Sequence, residues 1–167
     1  MGGRLQRLTP ATIAAGGAGL CRTGRGLRTA RRKARTMNSD ARTLSLLEQH
    51  WKASERGDND TEHAIYAEDA ILDYPQSGER FHGRSKIQAQ RGGHPAERHF
   101  TVLRIRGGGD LWVSEVVITY DGAPTYSVSV MEFAGDLVTH ETQYFADPFP
   151  APASRAALAE QIPDSER

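Results

Sequence analysis

The sequence predicts an α+β fold in which helices gather on one face of a curved, mostly antiparallel sheet. Three observations carry this. Helical spacing dominates residues 39–93, and strand alternation dominates residues 99–145. The separators between the strand candidates, "GGGD", "DGAP" and "AGD", are turn chemistry. No repeat of fixed period accompanies them.

The elements follow in order. "NSDARTLSLLEQHWKASERGD" reads as a first helix: Ser39 or Asp40 is placed to cap it, Leu44, Leu47 and Trp51 recur at helical spacing, and Gly57 ends it after Arg56. "DTEHAIYAED" reads as a second, shorter helix with Asp60 or Thr61 as cap and Ile65 and Tyr66 on its inner side. "AILDY" reads as a strand stopped by Pro75, which has no N–H for a ladder. "GRSKIQAQRGG" reads as a third helix ended by Gly92 and Gly93. "HFTVLRIR", "LWVSEVVITY", "TYSVSVMEF" and "LVTHETQYF" are the strands of an antiparallel meander. A Pro-rich tail, residues 151–167, follows, with a short helix expected from Ser154.

A chain of 167 residues has room for one domain with one core. A hydrophobic content of 38% is ordinary for a globular protein, and no run approaches the roughly 18 apolar residues of a membrane span. No membrane partner is expected, and a cytoplasmic setting is. The one cysteine, Cys21, allows neither an internal disulfide nor a cysteine-based zinc site. The formal charge of zero conceals an asymmetry. Residues 1–36 hold 9 basic and no acidic side chains, so the remainder has 12 basic against 21 acidic residues. An acidic body does not favour nucleic acid, which leaves the leader as the only place for such a partner. The chain therefore divides into a basic leader (1–37), a folded domain (38–150) and the tail. The leader reads first as a disordered extension, with Met37 as the working initiator, and otherwise as a targeting segment or a nucleic-acid arm.

Gly57-Asp58 after the first helix, then Tyr66-Ala67-Glu68-Asp69-Ala70, Pro75, Gly83 and Ile87, form a spaced pattern. This pattern resembles the nuclear transport factor 2-like superfamily, which includes SnoaL-like polyketide cyclases, ketosteroid isomerases and limonene epoxide hydrolases. The resemblance covers about residues 40–149 and is clearest over 50–87. It implies a cone: three N-terminal helices over a curved sheet, a cavity between them that holds a small hydrophobic molecule, and a homodimer through the other sheet face. The chemistry does not carry over residue by residue. Where the isomerases place an aspartate base, this chain has Tyr74; their tyrosine donor corresponds to His50, and their protonated aspartate to Ser129. Where the hydrolases place an aspartate before the final "YF", this chain has Gln143.

Strand alternation then fills the cavity. With Tyr74 inward, Leu72 and Ala70 are inward too, and Asp73 and Ile71 point away. Ser127, Ser129, Met131 and Phe133 share the inner face with Trp112, Ser114, Val116 and Ile118. The last strand contributes Leu137, Thr139, Glu141, Gln143 and Phe145. The expected catalytic residues are Glu141 as proton shuttle and Tyr74 and His50 as polarising groups. The expected ligand contacts are Trp51, Tyr66, Leu72, Gln76, Trp112, Ser129, Met131 and Gln143. A carboxylate in an apolar cavity should have a raised pKa; the alternative is that Glu141 pairs with Arg104 or Arg106 on a neighbouring strand. As a lone histidine, His50 reads first as a partly exposed helix residue and only otherwise as a polarising donor. His82, His94, His99 and His140 have no ligand spacing, so no metal is expected, and no phosphate or dinucleotide fingerprint implies a cofactor. Two functions remain open: a SnoaL-like enzyme doing cofactor-independent isomerisation, cyclisation, dehydration or hydrolysis, and a non-catalytic binding or dimerisation module.

Overall fold

The structure, a computed structural model, describes the backbone of residues 24–163 and the side chains of residues 39–163. The leader read as disordered lies outside the described residues up to residue 23. From Gly24 onward its backbone is helical and opens α1 (Gly24–Arg56). The chain divides into two compact units, Met1–Ala34 and Arg35–Arg167. The second unit holds all that follows.

Within it α1 buries Thr43, Leu47, His50, Trp51 and Ser54, a stripe at helical spacing. The helix ends where the sequence predicts. Gly57 takes φ +67, Asp58 N–H bonds Ala53 O at 3.0 Å, and Gly57 N–H bonds Ser54 O at 3.1 Å. This is a Schellman stop, and it needs a residue free to adopt the left-handed region.

The second helix is shorter than expected. α2 (Asn59–His63) is capped by Asp58, whose carboxylate accepts from Thr61 N–H at 3.2 Å, and not by Asp60 or Thr61. Strand β1 (Tyr66–Tyr74) then begins within the run read as helix. The long-range ladder overrides local propensity there: Tyr66 pairs with Val138, and Ile71, Leu72 and Asp73 pair with His140, Glu141 and Thr142. A second correction concerns the turn after Pro75. Ser77 and Gly78 donate to Tyr74 O, and the chain returns as β2 (Glu79–His82), pairing Tyr74 with Glu79 and Asp73 with Arg80. The helices are thus not all upstream of the strands. A β-hairpin separates α2 from α3 (Arg84–Gly92).

The other strands fall close to expectation: β3 (Arg98–Gly108), β4 (Leu111–Tyr120), β5 (Ala123–Ala134) and β6 (Leu137–Ala146). They join one curved, six-stranded, unclosed sheet in the order β2-β1-β6-β5-β4-β3. Only the β1–β6 pairing is parallel. Among its described residues the tail forms one 3-10 turn, Ala153–Arg155, where the sequence predicts a short helix from Ser154.

The inner face carries the predicted rows on β4 and β5, with Trp112, Ser114, Val116, Ile118, Ser127, Ser129, Met131 and Phe133 buried. On β6 the parity changes. A bulge shifts the register between Glu132 and Phe133, so Val138 is buried and Leu137 is exposed, while Glu141 and Gln143 keep the inner side.

Of the described glycines, Gly107 has the least room for a side chain. A Cβ there would lie 2.5 Å from Leu111 O and 2.7 Å from Trp112 Cα. Gly107→Ala must therefore move the β3–β4 hairpin, at an expected cost of about 1–3 kcal/mol. Thermal unfolding of the variant checks this, and an unchanged Tm would refute it.

Candidate functional site

Helix α3 places Ile87 and Arg91 on its buried face, one turn apart. Arg91 consequently points at the inner face of the sheet, where it meets a set of polar side chains. Its Nη1 donates to Tyr66 Oη at 2.7 Å, and its Nη2 donates to Glu141 Oε2 at 2.9 Å and to Gln143 Oε1 at 3.0 Å. Tyr66 donates to the same Oε2 at 2.5 Å, and Ser129 donates to Oε1 at 2.7 Å. Gln143 Nε2 donates to Ser127 Oγ at 2.9 Å. Strand register makes this set: Glu141 lies beside Met131 on β5 and Leu72 on β1, and Gln143 lies beside Ser129.

The charge on Glu141 is held, not released. Burial pushes its carboxyl up, but the Arg91 charge and the Tyr66 and Ser129 hydrogen bonds more than offset this, and the pKa lies below the usual value. This corrects the expectation of a raised pKa, which left out a cation from α3. The partner is Arg91, not Arg104 or Arg106; Arg104 pairs with Glu115 at 3.3 Å. Burial opposes the charge of Arg91, but Glu141, Tyr66, Tyr74 and Glu62 hold its pKa well above the usual value. Burial likewise pushes the Tyr66 phenol well up.

Beside this network His50 is buried, not on the helix surface, and its ring Nδ1 lies 2.7 Å from Glu62 O. His63 Nδ1 lies 2.8 Å from Asn59 O. Each carbonyl requires a proton on the facing Nδ1, so each Nε2 carries a lone pair. Neither Nε2 has a hydrogen-bond partner among the described residues; His63 Nε2 lies 3.9 Å from Glu62 Oε1. The two rings flank Tyr66, with centroids 5.9 and 5.8 Å from its ring. Burial is the first cause that lowers both histidine pKa values.

A small inner pocket of about 30 Å³ opens beside Arg91, lined also by Trp51, Glu62, Tyr74, Phe100 and Gln143. A cavity of about 320 Å³ adjoins it, sharing Tyr74, Arg91, Arg98, Tyr120 and Phe145. Arginine has five N–H donors, and protein acceptors take three bonds from the Arg91 guanidinium through Nη1 and Nη2. Among the described residues Nε–H and one Nη1–H have no protein acceptor. A larger groove of about 710 Å³ runs between α1 and β3, but its charged lining, such as Glu48, Lys52 and Glu55, is exposed.

The remaining expected contacts distribute as follows. Tyr74 lines both parts of the pocket and accepts from Gln90 Nε2 at 2.9 Å. Trp51 lines the inner pocket and donates to Ser114 Oγ at 3.0 Å. Leu72, Trp112 and Met131 belong to the packed core. Ser129 and Tyr66 serve Glu141. Gln76 is exposed and brackets the backbone of Phe145, accepting from its N–H at 2.7 Å and donating to its carbonyl. It ties the hairpin turn to β6 and does not enter the pocket. Asp73 is held well below the usual carboxylate range by two bonds from Arg80, at 2.7 and 2.8 Å, and by His140. Sequence reasoning missed Arg91, Arg98 and Glu62. Arg91 had a signal, because it stands one turn after the core residue Ile87.

The described residues contain no group of three or more metal-ligating side chains, and no helix among them is long and apolar enough to cross a membrane. Comparison with known proteins agrees with this architecture. The profile of the SnoaL-like domain matches residues 47–141. No curated protein matches the chain. An NTF-2 like protein of unknown function from Burkholderia xenovorans LB400 is 51% identical, with a TM-score of 0.71, over 75% of this chain and 98% of that one. A candidate ketosteroid isomerase from Kribbella flavida DSM 17836 is 24% identical, with a TM-score of 0.68, over 74% and 91% of the two chains. An LEH-like epoxide hydrolase from M. tuberculosis is 17% identical, with a TM-score of 0.53, over 63% and 83%. The last two show a shared fold only. Profile, fold and the closely matching Burkholderia structure agree: the chain belongs to the SnoaL-like domain family of the nuclear transport factor 2-like superfamily.

Proposed function

We propose that the protein holds a small, largely apolar molecule beneath α3, with an oxygen-bearing end against Arg91, and performs cofactor-independent acid–base chemistry on it. The observation that supports this is the Arg91 guanidinium. It is buried, fixed by Tyr66, Glu141 and Gln143, and still has N–H donors on a pocket with aromatic walls. Preorganised donors of this kind stabilise developing negative charge because they need not reorganise during reaction. The adjoining volume of about 320 Å³ suits a ligand at the small end of the usual range. In this reading Glu141, Ser129 and Tyr66 position Arg91, and Tyr74 shapes the wall. The reaction class remains that of the family: isomerisation, cyclisation, dehydration or hydrolysis.

The same reading includes a second copy of the chain. Tyr126, Val128 and Tyr144 are exposed on the outer face, and Val128 sits directly across from Tyr144. A contiguous exposed apolar patch of this kind marks an interaction surface. Native mass spectrometry tests both statements. The expected spectrum is a dimer carrying a copurified small molecule that is lost from an Arg91→Met/Glu141→Leu variant. Ligand retention by that variant would sink the pocket reading, and a monomer at micromolar concentration would sink the dimer.

A further inference from the structure

The outer cavity of about 320 Å³ is cationic. Arg91, His94 and Arg98 line it, and no aspartate or glutamate does. This stands against the rest of the body, where residues 37–167 hold 12 basic and 21 acidic side chains. Arg91 is matched by Glu141, but Arg98 has no such match. Its side chain is half-buried, its guanidinium lies 5.7 Å from the centre of the Phe100 ring, and among the described residues it makes no hydrogen bond or ion pair. His94 Nδ1 accepts from Ala96 N–H at 3.2 Å, so its Nε2 carries the proton and is a donor. Tyr74 Oη accepts from Gln90 Nε2 at 2.9 Å, which leaves the phenol its own proton to donate. The lining is thus rich in donors and has no charged acceptor.

We propose that the ligand of this pocket is a small carboxylate with an apolar body, and that Arg98 is the residue that selects it. This rests on the pocket reading above and goes further by naming the oxygen-bearing end as an anion and the residue that recognises it. A guanidinium without an acid partner presents a planar fork that a carboxylate can meet with two parallel N–H···O bonds. Charges of one sign in a cavity with low-dielectric walls concentrate the field on the ligand that enters. The free donors of Arg91 border the same cavity and add to the attraction. The acids nearby set the orientation. Glu62 lines the inner pocket and not the outer cavity. A ligand carboxylate turned inward would therefore face a like group out of water, whereas one turned outward meets Arg98. Asp147 accepts from Thr125 Oγ1 at 2.9 Å and stands outside the lining. Tyr74, Tyr120 and Phe145 border both parts and receive the apolar body. The inner pocket, about 30 Å³, has room for one small group of that body and no more.

The experiment uses the whole chain at neutral pH with phenylacetate and hexanoate as probes and phenylacetamide and hexanamide as their neutral counterparts. Chemical-shift titration gives the affinities. Wild type is expected to bind at least one acid roughly tenfold or more tighter than its amide. Arg98→Gln should lose that preference, through weaker binding of the acid at unchanged affinity for the amide. Arg98→Lys should keep part of it, as a point charge without the fork. Circular dichroism confirms that both variants fold, and the unchanged amide is a result that a merely structural role of Arg98 would not produce. Equal affinity of wild type for each acid and its amide overturns the anion and leaves the pocket reading standing. A preference for the acid that survives Arg98→Gln overturns the role of Arg98. Acetate that binds as tightly as phenylacetate overturns the substrate class, because the site then recognises no apolar body. Absence of binding by all four probes overturns both this inference and the pocket reading.

Discussion

Arg91→Met is expected to destabilise the domain by about 3–5 kcal/mol, because it leaves the Glu141 carboxylate fully buried without its counter-charge. Tyr66 and Ser129 would still donate to it, but two neutral hydrogen bonds do not replace a guanidinium. The second half of the prediction is the more diagnostic. Arg91→Met/Glu141→Leu removes both charges and fills the space with apolar atoms, so most of the stability should return, since a buried pair replaced as a unit is often neutral. The pattern to look for in urea unfolding at neutral pH is thus a severe single variant and a mild double one. A single variant no worse than an ordinary surface change, within ~0.5 kcal/mol, would refute the structural importance given to this pair. If the double variant is folded yet no longer retains ligand, the ion pair is kept for function and not for stability.

The second large effect is acid sensitivity, and its sign follows from burial. His50 and His63 are neutral in the fold, with pKa values lowered first by desolvation. The unfolded chain binds a proton at each histidine below about pH 6.5, and the folded chain does not. Stability is therefore complete above that pH and falls as pH drops through it, by about 1.4 kcal/mol per pH unit for each histidine until its folded pKa is reached. The groups that face them, Glu62 on α2, Arg91 on α3 and Glu141 on β6, are part of the balance. Glu141 acts in the same direction at lower pH. Its pKa is lowered, so its contribution is present above the ordinary carboxylate range and is lost as pH falls through the folded value. Denaturant midpoints measured from pH 7.5 to 5 should decline, and His50→Asn/His63→Asn should flatten that decline. A flat wild-type profile would contradict the buried neutral assignment.

Much of this architecture was legible from period alone. The alternation in "LWVSEVVITY" and "TYSVSVMEF" placed every buried residue of β4 and β5 correctly, because a strand with one face in the core has no freedom of register. The hairpin after Pro75 was not legible as β2. Its strand is short, and it is held from outside by the Asp73–Arg80 pair and by Gln76 on Phe145. The run from Ile65 to Asp69 was misread as helix because its partner, Val138, lies far along the chain and no local pattern announces it. The site divides in the same way. Glu141, Ser129 and Gln143 were found together because they share a sheet face. Arg91 and Glu62 reach that face from helices, through packing that strand parity cannot encode. An arginine on the apolar side of "RSKIQAQRGG" was the one local hint, since a buried cation requires a buried acid.

The parallel pairing of β1 with β6 also bears on how the molecule is made. On the ribosome β1, α2 and α3 emerge early, with Arg91 and Glu62 already in the nascent chain, but the strand that joins them arrives last. Until Leu137–Ala146 has been synthesised, Arg91 has no Glu141 to meet and one edge of β1 has no ladder. Contacts of such sequence separation form slowly. The pocket cannot exist in a partly made chain: its assembly and the completion of the sheet are one event, and a chain terminated before β6 carries the buried cation of the site without the acid that holds it.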